Sequence, residues 1–438
     1  IQLPHRRELL LIMSDLLRKD KQYVWHPFTQ MKTADVPLEI ISAKGARLYA
    51  ADGKSYIDAN SSWWVNVHGH GNPVIGEAIS KQFQELDHVI FAGVTHPTAV
   101  QLAEDVIQLL GDPFEKVFFS DDGSTAVEVA LKMAFQYWHN SGNPKKRILA
   151  MDGAYHGDTF GAMAIGQRGY FNEPFEHFFF DVDFLEFPTE VNSETELKKA
   201  EKLFESGEFA AMIVEPLVQG SAGMRMYSVE FLEQLVRLAK KHDVLVIYDE
   251  VMTGWGRTGK LFAMEHCAVR PDIICLSKGL TGGVLPLGLT VSTIQIYNAF
   301  LSEEKTKALL HGHSFTGNAL SCAAAVASIG LFRQKETSDN IETISVANHV
   351  FIEKMKGNPA IDSIRSLGTI LAVDLKVSDS AGYFSSIRDE AYQFMLSKGI
   401  LMRPLGNCLF VNPPYCIEKD DLESIYSALE SFVSKHNS

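Results

Sequence analysis

Lys278 stands in DIICLSKGLTGG, where a short apolar run ends in a cation flanked by Leu276, Leu280 and glycines. A lysine in such surroundings is costly unless it is paired or chemically used. Desolvation lowers its pKa, and the neutral amine is the form that makes a Schiff base with an aldehyde. Most lysines instead snorkel to water, so the neighbours decide. Earlier in the chain, VLVIYDEV is a second apolar run, ending in Asp249 and Glu250. Earlier still, KVFFSDDGSTAVEVALKMAFQYW sets Gly123-Ser124-Thr125 at a strand-to-helix turn, with Ala126, Val129, Ala130, Met133, Ala134 and Tyr137 on one helical face. Gly123 lets an anion approach the backbone, and Ser124 with the free amides of the helix start can hold a phosphate. A plain serine or threonine N-cap leaves the same trace.

A lysine, an aspartate and a phosphate cradle are the three parts that pyridoxal phosphate requires. Lys278 would bind its aldehyde, Gly123 and Ser124 its phosphate, and Asp249 its pyridine nitrogen. A carboxylate there keeps the ring protonated, which makes it an electron sink. Two rival readings start from the same residues. A strand ending in Asp249-Glu250 suits the magnesium aspartate of a P-loop ATPase, but the only GKS, Gly53-Lys54-Ser55, has Leu48 where the first loop glycine belongs. A literal GxGxxG at Gly254, Gly256 and Gly259 keeps a dinucleotide-dependent dehydrogenase open, although KLFAMEHCAVRPD allows at most a short helix before Pro271. The pairs His68-Gly-His70 and His311-Gly-His313 have no acidic or cysteine partner nearby in sequence, so no metal is assigned.

Periodicity predicts the elements that position these residues. From about Pro73 to about Leu331, the runs KVFF, RILAM, AAMIVEP, VLVIYDE and DIICLS alternate with helical patterns. That is a βα alternation, hence a mostly parallel sheet covered by helices, with ligands expected at the carboxyl ends of its strands. Before it, ARLYAADGKSYIDA alternates about Asp52-Gly53 and predicts a hairpin. After about Ser328, helices at Asn340 to Lys356 and Ser385 to Lys398 interleave with strands at Thr369 to Leu375 and Cys408 to Asn412. The expected division is an N-terminal segment 1–72 belonging to the small domain, a large α/β domain 73–328, and a small α+β domain 329–438.

The 438 residues carry a net charge of −14, which disfavours a nucleic-acid partner. Cys267, Cys275, Cys322, Cys408 and Cys416 are odd in number and form no CxxC, so they read as reduced thiols. The uncharged stretch Gly279 to Ser302 is long enough to span a bilayer but is interrupted by Gly282, Gly283, Pro286, Gly288, Gln295 and Asn298. Leu9 to Met13 follows Arg6 and Arg7 as a signal peptide's apolar run would, yet it is short and meets Asp15. A cytoplasmic protein with no membrane partner is expected.

The run LVIYDEVMTGWGRTGKLFAMEHCAVRPDIICLSKGLTGG resembles the signature of class III aminotransferases, which are pyridoxal-phosphate enzymes of fold type I. The likeness extends from about Trp25 to about Tyr415 through WHPFTQM, SSWW, THPTA, AYHGDTFGAM, VQGSAGMRMY, HGHSFTGN and MRPLG, and is strongest to the biotin-pathway branch of the family. It implies transamination of a small keto acid, with S-adenosylmethionine or lysine as amino donor; members acting on ω-amino acids or diamines are the alternative. By this resemblance Lys278 is the Schiff-base lysine, Asp249 the pyridinium partner, Gly123 with Ser124 the phosphate loop, and Tyr155 the aromatic stacked on the ring. Gly312, His313 and Ser314 match a segment that reaches the phosphate from the neighbouring subunit, which implies a homodimer with its active site at the interface. Trp63 and Trp64 resemble the walls of the substrate channel. Arg403 resembles the clamp on the keto acid's carboxylate, a task suited to a guanidinium's paired donors. Arg257 is a second candidate near the substrate. From spacing alone, paired tryptophans more often serve core or dimer packing, and His156 reads as structural. The chain departs from the adenosylmethionine-using pattern at Phe28, where tyrosine is usual, and at His313 and Ser314, which replace proline and threonine.

Overall fold

The apolar runs assemble into a seven-stranded sheet in the computed structural model, which describes residues 14–377 and 385–436. The run Leu9 to Met13 lies outside the described residues. The chain first forms β1 (Ile40–Lys44), β2 (Arg47–Ala50) and β3 (Ser55–Asp58). Next come β4 (Phe114–Ser120), β5 (Arg147–Met151), β6 (Val182–Leu185), β7 (Phe209–Val214) and a short ribbon, β8 (Val218–Gln219) with β9 (Arg225–Met226). Then follow β10 (Leu245–Asp249), β11 (Ile273–Leu276) and β12 (Gly288–Thr293), and finally β13 (Ile361–Leu367), β14 (Ile370–Leu375), β15 (Ile400–Leu401) and β16 (Cys408–Val411).

The large sheet runs β4-β12-β11-β10-β7-β5-β6, and β12 is antiparallel to both of its neighbours. Every residue of β7 and β10 is buried, as parallel strands covered on both faces require. The pairs Tyr248↔Val214 and Asp249↔Cys275 bring the carboxyl ends of β7, β10 and β11 to one edge. Neither β6 nor β12 stands out in the sequence; β12 falls inside the uncharged stretch Gly279 to Ser302. Among the described residues no helix is long and apolar enough to cross a membrane.

The expected hairpin forms: β2 and β3 pair antiparallel around Asp52-Gly53, with Gly53 at φ 83°. β15 joins β3 in parallel through Ile57↔Ile400, so the first and last parts of the chain share one sheet. β13, β14 and β16 make a three-stranded antiparallel sheet beside the helices Lys335–Met355, Ser386–Ser397 and Lys419–Lys435. Ile57, Ala59 and Val67 pack into the same apolar cluster as Leu371, Val373, Leu409 and Phe432.

Just past β3, Ser61, Ser62, Trp63 and Trp64 have φ values of 48°, 43°, 75° and 70°, making one left-handed helical turn. Backbone bonds from Trp64 N–H to Asn60 O (2.8 Å) and Val65 N–H to Ser61 O (3.0 Å) close it. Such geometry costs about 1–2 kcal/mol per residue and needs outside support. Asp58 supplies it, accepting from Ser62 N–H at 2.9 Å and from the Ser62 hydroxyl at 2.6 Å. From the other side, Asn60 Nδ2 donates to Phe410 O at 2.8 Å and the Ser61 hydroxyl to Asn412 O at 2.9 Å.

Candidate active site

Asp249 ends β10 and is buried. Its Oδ1 accepts the Val251 N–H at 3.0 Å, and its Oδ2 lies 2.7 Å from His156 Nδ1. A carboxylate accepts only, so His156 donates from Nδ1. The His156 ring is fully buried and its Nε2 has no partner. This histidine fixes the orientation of Asp249.

Lys278 lies just beyond β11 with φ 48° and partial exposure. Its ammonium sits 5.5 Å from the centre of the Trp64 ring. Burial lowers the amine's pKa, opposed by the charges of Asp249, Glu215 and Asp122. This is the desolvated lysine that the apolar run predicted. Gly279 must follow it, because a Cβ there would stand 2.9 Å from Trp255 Cβ.

Glu215, beyond β7, escaped the sequence reading. Its buried carboxylate accepts the N–H of Tyr155 at 3.0 Å and of Gly220 at 2.9 Å, fixing two walls of the site at once. Burial is the main cause that pushes its pKa up to about 7, against the lowering influence of His156. The contact partners lie far apart in sequence, and the VEP tripeptide alone carries no signal for them.

Gly123 and Ser124 open the helix Gly123–Asn140. Asp122 caps it by accepting the Thr125 N–H at 2.8 Å, while the Thr125 hydroxyl accepts the Asp122 N–H at 3.0 Å. A Cβ on Gly123 would meet Val251 Cγ1 at 2.5 Å, so this approach admits only glycine. The Ser124 hydroxyl therefore stands at the helix start beside the strand edge that carries Asp249.

Phe28, Trp63, Trp64, Tyr155 and Arg403 line one pocket, together with Asn60, Phe171, Ser221, Leu405 and Phe410, which the sequence did not single out. The Phe28 and Trp63 rings are 5.6 Å apart, and Phe171 meets Phe28 edge-on at 6.1 Å. The Arg403 guanidinium lies 4.9 Å over the Trp63 ring, and the backbone N–H of Arg403 donates to Asn60 Oδ1 at 2.7 Å.

Three placements differ from this grouping. Arg257 is fully buried and does not reach the pocket wall: it donates to Pro413 O at 2.8 Å and Trp64 O at 3.1 Å, joining the left-handed turn to the C-terminal part. Gly312, His313 and Ser314 do not line the pocket of their own chain; His313 Nδ1 lies 3.3 Å from Asp121 Oδ2 and its Nε2 is buried without a partner. The GxGxxG glycines lie in consecutive turns rather than between a strand and a helix. They serve close packing, since a Cβ on Gly256 would meet Ile341 Cδ1 at 2.6 Å and one on Gly259 would meet Gly368 Cα at 3.3 Å. That placement removes the dehydrogenase reading.

The remaining residues fit pyridoxal phosphate (PLP): a partly desolvated amine, a buried carboxylate at the neighbouring strand end, an orphaned imidazole nitrogen beside it, and a glycine-serine helix start on the same edge. The model of the family described as "Aminotransferase class-III" matches residues 29–433. The chain is 47% identical over 421 residues to the adenosylmethionine-8-amino-7-oxononanoate aminotransferase of Synechococcus elongatus, covering 94% of this chain and 99% of that one. The crystal structure of the aminotransferase of the same name from Methanocaldococcus jannaschii superposes with a TM-score of 0.90 at 35% identity, covering 96% of this chain and 99% of that one. An amine transaminase from an uncultivated Pseudomonas species, solved in its PLP-bound form, gives a TM-score of 0.87 at 28% identity, covering 94% and 99%.

Proposed function

The chain belongs to the class III aminotransferases, and from that premise we propose that it transfers an amino group to 8-amino-7-oxononanoate, giving the 7,8-diamino acid of biotin biosynthesis. The observation that carries this reading is the aromatic pocket with Arg403 stacked over Trp63. An aliphatic chain lies well against Phe28, Trp63 and Phe171, and its terminal carboxylate meets a guanidinium that lies over the indole.

Pyridoxal phosphate, when bound, supplies an electron sink for the charge that develops on the reacting carbon. Lys278 would hold its aldehyde, and the same Nζ would move the proton to and from the reacting carbon; burial favours the neutral form that this needs. Asp249, fixed by His156, keeps a proton on the ring nitrogen. Tyr155 would cover the ring, and Gly123 with Ser124 would hold the phosphate. Gly312, His313 and Ser314 complete the phosphate site across a homodimer; the partnerless His313 Nε2 supports this. Residues 1–72 and 329–438 act as the small domain over the large domain 73–328, consistent with their shared apolar cluster. The amino donor is S-adenosylmethionine, as the relatives' names suggest, and the enzyme works in the cytoplasm, where its unpaired cysteines stay reduced.

The test supplies the PLP-loaded enzyme with 8-amino-7-oxononanoate and either S-adenosylmethionine or lysine, and follows the diamine by mass spectrometry. Product with S-adenosylmethionine upholds the reading, and product with lysine alone changes the donor. No product with either, but turnover of an ω-amino acid, moves the enzyme to another branch of the family.

A further inference from the structure

Glu128 lies one turn beyond Ser124 on the helix Gly123–Asn140, at the i, i+4 spacing that puts both side chains on one face. Its Oε1 accepts from the Thr159 hydroxyl at 2.6 Å, the Gly161 N–H at 2.7 Å and the Ala162 N–H at 3.1 Å. Thr159 has one hydroxyl proton and spends it on this carboxylate. Ser124 Oγ lies 2.8 Å from Thr159 Oγ1, so Ser124 is the donor in that pair, and it accepts the Thr159 N–H at 3.1 Å. The serine oxygen is thereby pinned and its proton given a resting partner. The fit is close on both sides: a Cβ on Gly157 would stand 2.2 Å from Ser124 Oγ, and one on Gly161 would stand 2.3 Å from Glu128 Oε2.

We propose that Glu128, acting through Thr159, is the positioning residue of the cofactor-phosphate site. It holds the Ser124 oxygen in place, so that rotation of one hydroxyl exchanges Thr159 Oγ1 for a phosphate oxygen with no other movement. The same carboxylate ties the segment carrying Tyr155 and His156 to that helix through the Gly161 and Ala162 amides. This inference rests on the reading of Gly123 and Ser124 as the phosphate cradle.

The experiment titrates the apo-protein with PLP and, separately, with pyridoxal, which lacks the phosphate, and records the phosphorus-31 resonance of the bound cofactor. The variants are Glu128→Ala, Thr159→Val, Thr159→Ser and Ser124→Ala. Thr159→Val and Glu128→Ala should weaken PLP binding about tenfold, the scale of one hydrogen bond to a charged group, and shift the resonance. Thr159→Val should leave pyridoxal affinity unchanged, and Thr159→Ser should restore PLP affinity. If Glu128→Ala does not fold, the two Thr159 variants decide. Unchanged PLP affinity in Thr159→Val, or an equal loss for pyridoxal, overturns the proposal. Ser124→Ala separates the two layers: weak PLP binding there alone leaves the cradle standing and removes the role of Glu128, whereas unchanged binding removes the cradle and the proposal with it.

Discussion

Two opposing influences meet at Lys278: burial lowers its pKa while three carboxylates resist the shift. Replacing it by alanine should abolish covalent attachment of the cofactor. Mass spectrometry after borohydride reduction should then find no adduct, and an adduct that survives would put the attachment elsewhere. Arg403→Ala should raise KM for the keto acid about 10- to 100-fold, the value of a charge-assisted pair, with a much smaller change for the donor. Equal effects on both would move the carboxylate clamp to another residue. Lys278 and Asp249 were legible in the sequence because a charge at the end of an apolar run needs a reason. Glu215 was not, since its meaning comes from two backbone amides that only folding brings to it. For Arg257 the sequence offered only a candidate cation, and folding shows what part of it does: it donates to the carbonyls of Pro413 and Trp64.

At the scale of elements, the tryptophans that wall the pocket ride on a left-handed turn containing no glycine. Nothing in SSWW announces that geometry, because it is imposed by Asp58 and by backbone carbonyls near the far end of the chain. Asp58→Ala would leave the Ser62 amide and the His70 ring, 2.9 Å from the carboxylate, without their acceptor. It should lower stability by about 2–4 kcal/mol in denaturant unfolding and raise substrate KM as Trp63 shifts. A variant with wild-type KM would show that the turn holds itself. The strands of the large sheet were readable where apolar runs are continuous, as in β7, β10 and β11. By contrast, β12 hid inside a stretch whose glycines and proline break the pattern, and β6 (VDFL) carries Asp183 within its four residues and is only half-buried over most of its length.

For the whole molecule, two buried carboxylates set a pH dependence. Glu215 and Glu250 both have pKa values pushed by burial from an ordinary 4.5 up to about 7. Between those values the unfolded chain has released protons that the folded chain retains, so their contribution falls as pH rises from 4.5 to 7 and levels off above it. Glu250→Gln should reduce that slope when denaturant midpoints are compared across the window. It should also cost about 1–3 kcal/mol, because one of the two oxygens becomes an NH2 that cannot accept, and either the Met264 amide or the Ala263 amide with the Thr253 hydroxyl loses its acceptor. An unchanged slope would assign the dependence to other groups. The pairing of β3 with β15 has a consequence for synthesis. Ile57 leaves the ribosome long before Ile400, its partner in the sheet. At roughly 5–20 residues per second, the edge of β3 waits on the order of 20–70 s for its neighbour. Throughout that interval the nascent chain presents one open edge of the β2–β3 hairpin and the apolar side chains of Ile57, Ala59 and Val67, which makes it a natural client for a chaperone that shields open sheet edges.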